Sequence, residues 1–231
     1  MSLQLKPVES RRLYQQIADQ IRELIHRGGF EAGMRLPPER DLALQLGVSR
    51  PSLREALIAL DVEGRVEVRS GSGVYVSAPK PGQAAGRTAA MGESPSQLME
   101  ARSVIEGELV TLACARMTQA PLSRLREILG EMEAAIERRD ARVDLDRQFH
   151  VTLAEVSGNA VLARLVAELF DERHSPISAK ISSRFETRRT WKAALAEHQA
   201  ILRAVEARDP IAAQGAMRAH LKASAMRWVG D

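Results

Sequence analysis

Cysteine is all but absent from this chain: one residue, Cys114, in 231. A single thiol excludes a disulfide within the chain, which fits a reducing compartment. Its place in the apolar stretch VTLACARM reads as a buried, inert thiol. Aromatic residues are scarce too, at 3%, while Ala and Leu are abundant. That balance disfavours β-sandwiches, whose strands draw on aromatic and β-branched side chains, and favours packed helices. No run approaches the ~18 apolar residues of a membrane helix. The opening MSLQLKPVES lacks the apolar core of a signal peptide. The expectation is a soluble, cytoplasmic protein with no membrane partner. A strong charge of one sign is also missing. Lys and Arg number 33 against 30 Asp and Glu, a net of +3, which permits a nucleic-acid partner without demanding one.

What is present is 45% apolar content, enough for cores, in a length that suits two compact domains. Residues 77–93, SAPKPGQAAGRTAAMGE, combine Pro79, Pro81, Gly82, Gly86 and Gly92 with no apolar period, the composition of a linker. The expected organisation is a first domain over 1–77, a linker over 78–93 and a second domain over 94–231.

In the first domain, Leu13, Ile17, Ile21, Leu24 and Ile25 recur at helical spacing, predicting a helix over 11–27 stopped by Gly28 and Gly29. Pro37 and Pro38 open a second helix that ends at Gly47. Ser49 is a good N-cap for a third, with Pro51 in its first turn, running to about Glu63. Then VEVRSGSGVYV places two alternating runs around the turn Ser70–Gly73, a hairpin. After the linker the pattern is helical throughout, predicting six helices over about 94–118, 121–139, 141–157, 159–180, 187–208 and 210–229. The fold class expected is mainly α: a winged helix-turn-helix followed by an all-α, six-helix antiparallel bundle.

A short helix, a Gly-containing turn and a second helix can place the second helix in the major groove, its first residues facing base edges. Here that helix begins Ser49-Arg50-Pro51-Ser52-Leu53-Arg54. Arg50 and Arg54 lie one turn apart, on one face. Arginine is well shaped for a bidentate contact to guanine, worth about 1–3 kcal/mol of discrimination. Ser49 and Ser52 can reach phosphates or bases, and the small residues of the hairpin tip allow close backbone approach. The alternative is two ordinary solvated arginines, with Arg54 paired locally to Glu55 or Asp61. Residues 1–78 hold 11 Lys and Arg against 10 Asp and Glu. DNA binding therefore rests on arrangement and not on excess charge.

The stretches Met34-Arg35-Leu36-Pro37-Pro38-Glu39-Arg40-Asp41-Leu42-Ala43, Leu46–Leu57, Leu60–Gly64 and Gly71–Val76 closely resemble the GntR family of regulators over residues 11–77. The resemblance implies that Arg40, Arg50 and Arg54 contact DNA, with Ser49, Pro51 and Ser52 at flanking contact positions and Gly71 at the wing tip. Arg35 is a further candidate for a phosphate contact, and Arg69 a weaker one. Many members have an apolar or Gly-Leu pair after the central helix; this chain has Gly64-Arg65.

The second half carries four potential metal ligands. Asp146 and His150 are i,i+4 on one helix, neighbours on its surface. His198 and His220 are both 11 residues from Asp209, at the turn between the last two helices. Antiparallel packing would bring the two imidazoles to one height, ~16 Å from that turn. His198 falls in the apolar stripe Trp191, Leu195, Leu202, Val205; His220 in Met217, Leu221, Ser224, Trp228; Asp146 and His150 with Val143 and Leu153. Each alone reads as a hydrogen-bonded core residue. Four converging on one core are unfavourable unless something pairs them, and a divalent ion, zinc or nickel, suits three imidazoles and a carboxylate. His26 and His174 have no such partners.

Asp146-Arg147-Gln148-Phe149-His150, then Ser157-Gly158-Asn159, Glu197-His198-Gln199-Ala200-Ile201 and His220 resemble the ligand-binding domain of the FadR-type subgroup of GntR regulators, over about 94–229. That resemblance implies a divalent metal that helps hold a carboxylate effector. Arg102 interrupts the stripe Leu98, Ile105, Leu109, Leu112. By itself it reads equally as an anion contact or as a salt bridge with Glu106, one turn on; the resemblance favours an effector-carboxylate contact.

The function expected is a DNA-binding regulator whose affinity for a palindromic double-stranded operator is set by a small carboxylate effector, acting as a homodimer. Two rivals share the same residues. One is a regulator for which the metal itself is the signal. The other is a metal-dependent hydrolase, for which no HExxH pair, nucleophile elbow or evident general base is found; Glu197 points about 100° away from His198 around its helix.

Overall fold

A computed structural model describes residues 12–69, 71–78, 91–138, 140 and 143–229. The chain divides into two compact units, Met1–Ser94 and Pro95–Asp231. Stretch 79–90 of the expected linker lies outside the described residues, as do Ser70 of the wing turn and residues 141–142 at the expected start of a helix. The linker's last residues and Ser94, expected to open the second domain, pack within the first unit. The Tyr14 hydroxyl donates to the Gly92 carbonyl at 2.8 Å, Arg12 pairs with Glu93, and Ser94 Oγ donates to Glu55 at 2.8 Å.

In the first unit, α1 (Leu13–Leu24) buries Tyr14, Ile17, Ala18 and Ile21. Leu13 and Leu24, expected on that stripe, are half exposed. The buried face is centred one position further round, where Tyr14 supplies more apolar surface than Leu13 would. One π turn, Ile25–Gly29, carries α1 to its stop, with Gly28 at φ +79°. Helix α2 (Glu39–Leu46) starts after Pro38 with Glu39 and Asp41 in its first turn, where carboxylates meet the positive end of the helix dipole. Gly47, at φ +65°, closes it in the left-handed region that favours glycine. Helix α3 (Arg50–Val62) follows directly. Ser49 is extended, and its hydroxyl accepts from the Ser52 N–H, satisfying one of the otherwise unpaired N–H groups of the first turn. Strands β1 (Val66–Arg69) and β2 (Gly73–Val76) pair antiparallel, Val66 opposite Val76. The segment before α2 joins their edge: Leu36 N–H donates to the Val74 carbonyl, and Val76 N–H to that of Met34. Val66, Val74 and Val76 turn inward with Leu36, Leu53 and Leu57.

The second unit is helical, as expected. Its described helices are α4 (Pro95–Arg116), α5 (Gln119–Glu137), α6 (Val143–Val156), α7 (Ala160–Asp171), α8 (Pro176–Phe185), α9 (Arg188–Glu206) and α10 (Pro210–Val229). The single helix expected over 159–180 is thus two. A 3-10 turn, Glu172–His174, and extended Ser175 intervene. Pro176 disfavours helical geometry in the residue before it and has no N–H to continue the ladder. Helix α10 packs on α4 and α9, and α6 on α4, α5 and α7. The core they enclose contains Leu125, Ile128, Phe149, Leu153, Ile201 and Leu221. Cys114 is buried, and burial pushes its thiol above the usual range, so little of it is the reactive thiolate. No helix among the described residues is long and apolar enough to cross a membrane.

Candidate metal centre and nucleic-acid interface

Helix α6 presents Asp146 and His150 from consecutive turns, α9 presents His198 and α10 presents His220. Each is at most 6% exposed, and one ligand atom from each lies within 4.8 Å of all the others. His198 Nε2 is 3.2 Å from Asp146 Oδ1 and 3.1 Å from His150 Nε2; the latter is 3.7 Å from Asp146 Oδ1. The His198 and His220 ring centres are 4.3 Å apart. The turn at Asp209 therefore brings both imidazoles to one level.

What lies behind the rings fixes their chemistry. His150 Nδ1 meets the Glu106 carboxylate, and His220 Nδ1 meets that of Glu197 at 2.8 Å. Both imidazoles thus turn Nε2 to the cluster. Asp146 Oδ2 accepts from Arg173 at 2.6 Å. His198 Nδ1 is buried with no partner. Burial, opposed by Glu106, pushes the His150 imidazole below its ordinary value. Burial and neighbouring His198 push His220 down to about 3. Burial alone would raise the carboxyls, but cationic and hydrogen-bonding neighbours win. Arg102 and His150 hold Glu106 at about 2, Arg227 and His220 hold Glu197 at about 2, and His198 and Arg173 hold Asp146 well below the usual range. Neutral His150 and His220 and an ionised carboxylate are the protonation states a metal requires. Converging nitrogen lone pairs beside a carboxylate repel one another until a cation lies between them, so the donor set fits a divalent ion.

A cavity of about 40 Å³, room for a few water molecules, adjoins the cluster, with Arg102, Asp146, Arg173, His220, Arg227 and both tryptophans of the chain among its lining residues. Arg102 is 3% exposed. Its Nε donates to Glu106 at 2.6 Å, its guanidinium carbon lies 3.8 Å from the Phe170 ring centre, and its Nη2 has no partner. The salt bridge to Glu106 and a spare N–H at the cavity wall therefore coexist. Sequence reasoning did not find the roles of Glu106 behind His150, of Glu197 behind His220, or of Arg173, Glu186 and Arg227 around the cavity. The 100° that turns Glu197 away from His198 turns it towards α10. Arg227, two turns beyond His220, is the residue whose spacing gave a signal.

In the first unit, Arg40 and Arg50 are exposed at the starts of α2 and α3. Arg54, on the same face of α3 as Arg50, is half-buried and donates through Nη2 to Glu39 at 3.0 Å. Ser49 and Ser52 share a hydroxyl contact of 2.8 Å within the helix cap, with Pro51 between them. Gly71 is exposed at the wing tip at φ +70°. Exposed Arg35 lies against Gly73, where an added Cβ would fall 2.6 Å from the Arg35 Nε. The Arg69 guanidinium covers the Tyr75 ring at 4.3 Å. His26 and His174 are exposed and lie outside the cluster.

Residues 13–76 match the family described as bacterial regulatory proteins, gntR family, and residues 97–223 match the FCD domain. The Exu regulon transcriptional regulator of Escherichia coli K12 is 37% identical over 220 residues, 93% of this chain and 83% of that protein. The Uxu operon transcriptional regulator of the same strain is 32% identical over 219 residues, 92% and 85% of the two chains. Among solved structures, that of Lar, which controls expression of the Listeria monocytogenes agr system, matches with a TM-score of 0.53 at 19% identity, covering 95% of this chain and 98% of that one. This last likeness shows the fold alone. These families and relatives are regulators, so the hydrolase reading falls. The chain belongs to the GntR family of DNA-binding transcription regulators, in the FadR subgroup whose C-terminal half is an FCD domain.

Proposed function

We propose that a small carboxylate, bound between Arg102 and a divalent ion, controls how tightly this regulator holds its operator. Asp146, His150, His198 and His220 would hold the ion, zinc or nickel by their donor types. When bound, the ion supplies a positive centre with a position for a carboxylate oxygen. The observation that carries the reading is the unpartnered, buried Nη2 of Arg102 at the wall of a cavity beside the four-ligand cluster. Arg102 supplies the second anchor, a charge-assisted hydrogen bond to the carboxylate. Phe170, stacked on its guanidinium, and Glu106 hold that side chain in place.

The DNA contacts proposed are Arg50 and Arg54 to bases, with Arg40 also contacting the DNA, Ser49, Pro51 and Ser52 beside them, Arg35 to a phosphate, and the Gly71 backbone at the wing. A homodimer on a palindromic operator provides the two-state element, since a ligand shifts such an equilibrium only by its unequal affinity for the two states. The test uses a duplex selected from random DNA by the full chain, with binding followed by fluorescence anisotropy. DNA affinity is expected to change at least tenfold when zinc and a small carboxylate are both present. A change of the same size with zinc alone would make the metal the signal and sink the carboxylate reading.

A further inference from the structure

Three arginines line the cavity beside the cluster, and each is already engaged by protein carboxylates. Arg227 donates through both terminal nitrogens to Glu197, at 2.7 and 2.9 Å. Arg173 donates through Nη1 to Asp146 and through Nη2 to Glu186, at 2.6 and 2.5 Å. Arg102 donates through Nε to Glu106 and keeps Nη2 free. Asp146 belongs to the ligand set, and Glu106 and Glu197 back two of its histidines. Glu186, at the corner between α8 and α9, does neither. It is held by Arg173 and by the Ser182 hydroxyl at 2.9 Å, and it lines the cavity and an outer groove alike.

We infer that Glu186 is a specificity-determining residue that restricts this pocket to effectors bearing a single carboxylate. The inference rests on the effector reading above and deepens it. Glu186 occupies the arm of Arg173 that a second carboxylate would otherwise take. Charge balance points the same way. Around the cavity and behind the ligands stand three guanidiniums, Arg102, Arg173 and Arg227, against four carboxylates, Glu106, Asp146, Glu186 and Glu197, which leaves −1. A divalent ion brings the site to +1, and one carboxylate neutralises it. A second would face Glu186, a like charge in a low-dielectric setting, with only the unpartnered Arg173 Nε–H and neutral hydroxyls left to meet it, which is unfavourable. The rest of the wall accommodates a neutral remainder: Thr190 and Ser224 offer hydroxyls, and Trp191 and Trp228 offer ring faces.

The experiment is isothermal titration of the zinc-loaded full chain with three-carbon acids paired by size: lactate against malonate, and glycerate against tartronate. The wild type is expected to bind a monoacid at least tenfold more tightly than its diacid counterpart. In Glu186→Gln, which removes one negative charge and weakens the hold on the Arg173 arm, the diacid should gain tenfold or more while the monoacid changes less than threefold. A wild type that takes a diacid as tightly as the paired monoacid overturns the inference and leaves the effector reading standing. So does a folded Glu186→Gln, checked by its melting curve, with an unchanged ratio. No binding by any of the four acids overturns both together. Should the variant fail to fold, the wild-type ratio alone decides.

Discussion

His220 is buried and neutral in the folded protein, with its imidazole pushed down to about 3 by burial and by His198. In the unfolded chain it returns to about 6.5. Between those values the unfolded state binds a proton that the folded state does not, so the stabilisation is complete above about pH 6.5 and is lost as pH falls towards 3. Glu106 and Glu197, held at about 2, act in the same direction below their unfolded value of 4.5. With a chelator present, the unfolding free energy of the second unit should therefore fall below pH 6.5, by about 1.4 kcal/mol per pH unit for each such group. His220→Asn should lower that slope by one group's share between pH 6 and 4; a variant with the wild-type slope would show that His220 is not held neutral. Glu106 fixes which nitrogen of His150 faces the cluster. Glu106→Gln should lower zinc affinity about 10–100-fold, read by competition with a chromophoric chelator. Unchanged affinity would mean that Glu106 serves Arg102 alone. The four ligands were legible in the sequence because each lies on an apolar stripe and two pairs have telling separations. Glu197 and Arg173 were not, because a charged residue at the edge of an amphipathic helix reads as solvated until the neighbouring helix is in place.

At the scale of elements, punctuation was more legible than continuity. Gly28, Gly47 and the Ser49 cap end and begin helices where residue chemistry says they should. The break between α7 and α8 is hidden in the sequence because apolar residues continue at helical spacing across it, although Pro176 marks it. The seam between Leu36 and Val74 joins segments almost forty residues apart, and no local pattern announces it. That seam gives the wing a testable weakness at Gly73, whose φ of +119° few L-residues adopt. Gly73→Ala would strain the turn and drive a methyl into Arg35. It should destabilise the first unit by about 1–3 kcal/mol and weaken binding to the selected duplex at least tenfold. If Arg35 contacts a phosphate, the slope of log affinity against log salt should also shrink by about 1. A variant with wild-type melting and binding would show that the wing tolerates a side chain there.

For the molecule as a whole, the division at Ser94 and Pro95 separates a unit with no metal cluster among its described residues from one built around Asp146, His150, His198 and His220. A ligand stabilises what it binds by RT ln(1 + [L]/Kd), about 4 kcal/mol at a thousandfold excess over Kd. For a unit of this size that is on the order of 10 °C in Tm. The calorimetric trace of the full chain should therefore resolve two transitions in excess chelator, and zinc should raise one of them by about that amount while the other stays within about 1 °C. The Gly73→Ala variant identifies the unmoved transition as the first unit, because it should shift that one alone. If zinc raises both transitions equally, the two units unfold as one cooperative block, and the ion is then coupled to the reading head even without an effector. If zinc raises neither, the four side chains do not hold an ion in the folded protein. Their convergence would then be a hydrogen-bonded polar core, stabilised by Glu106, Glu197 and Arg173 alone.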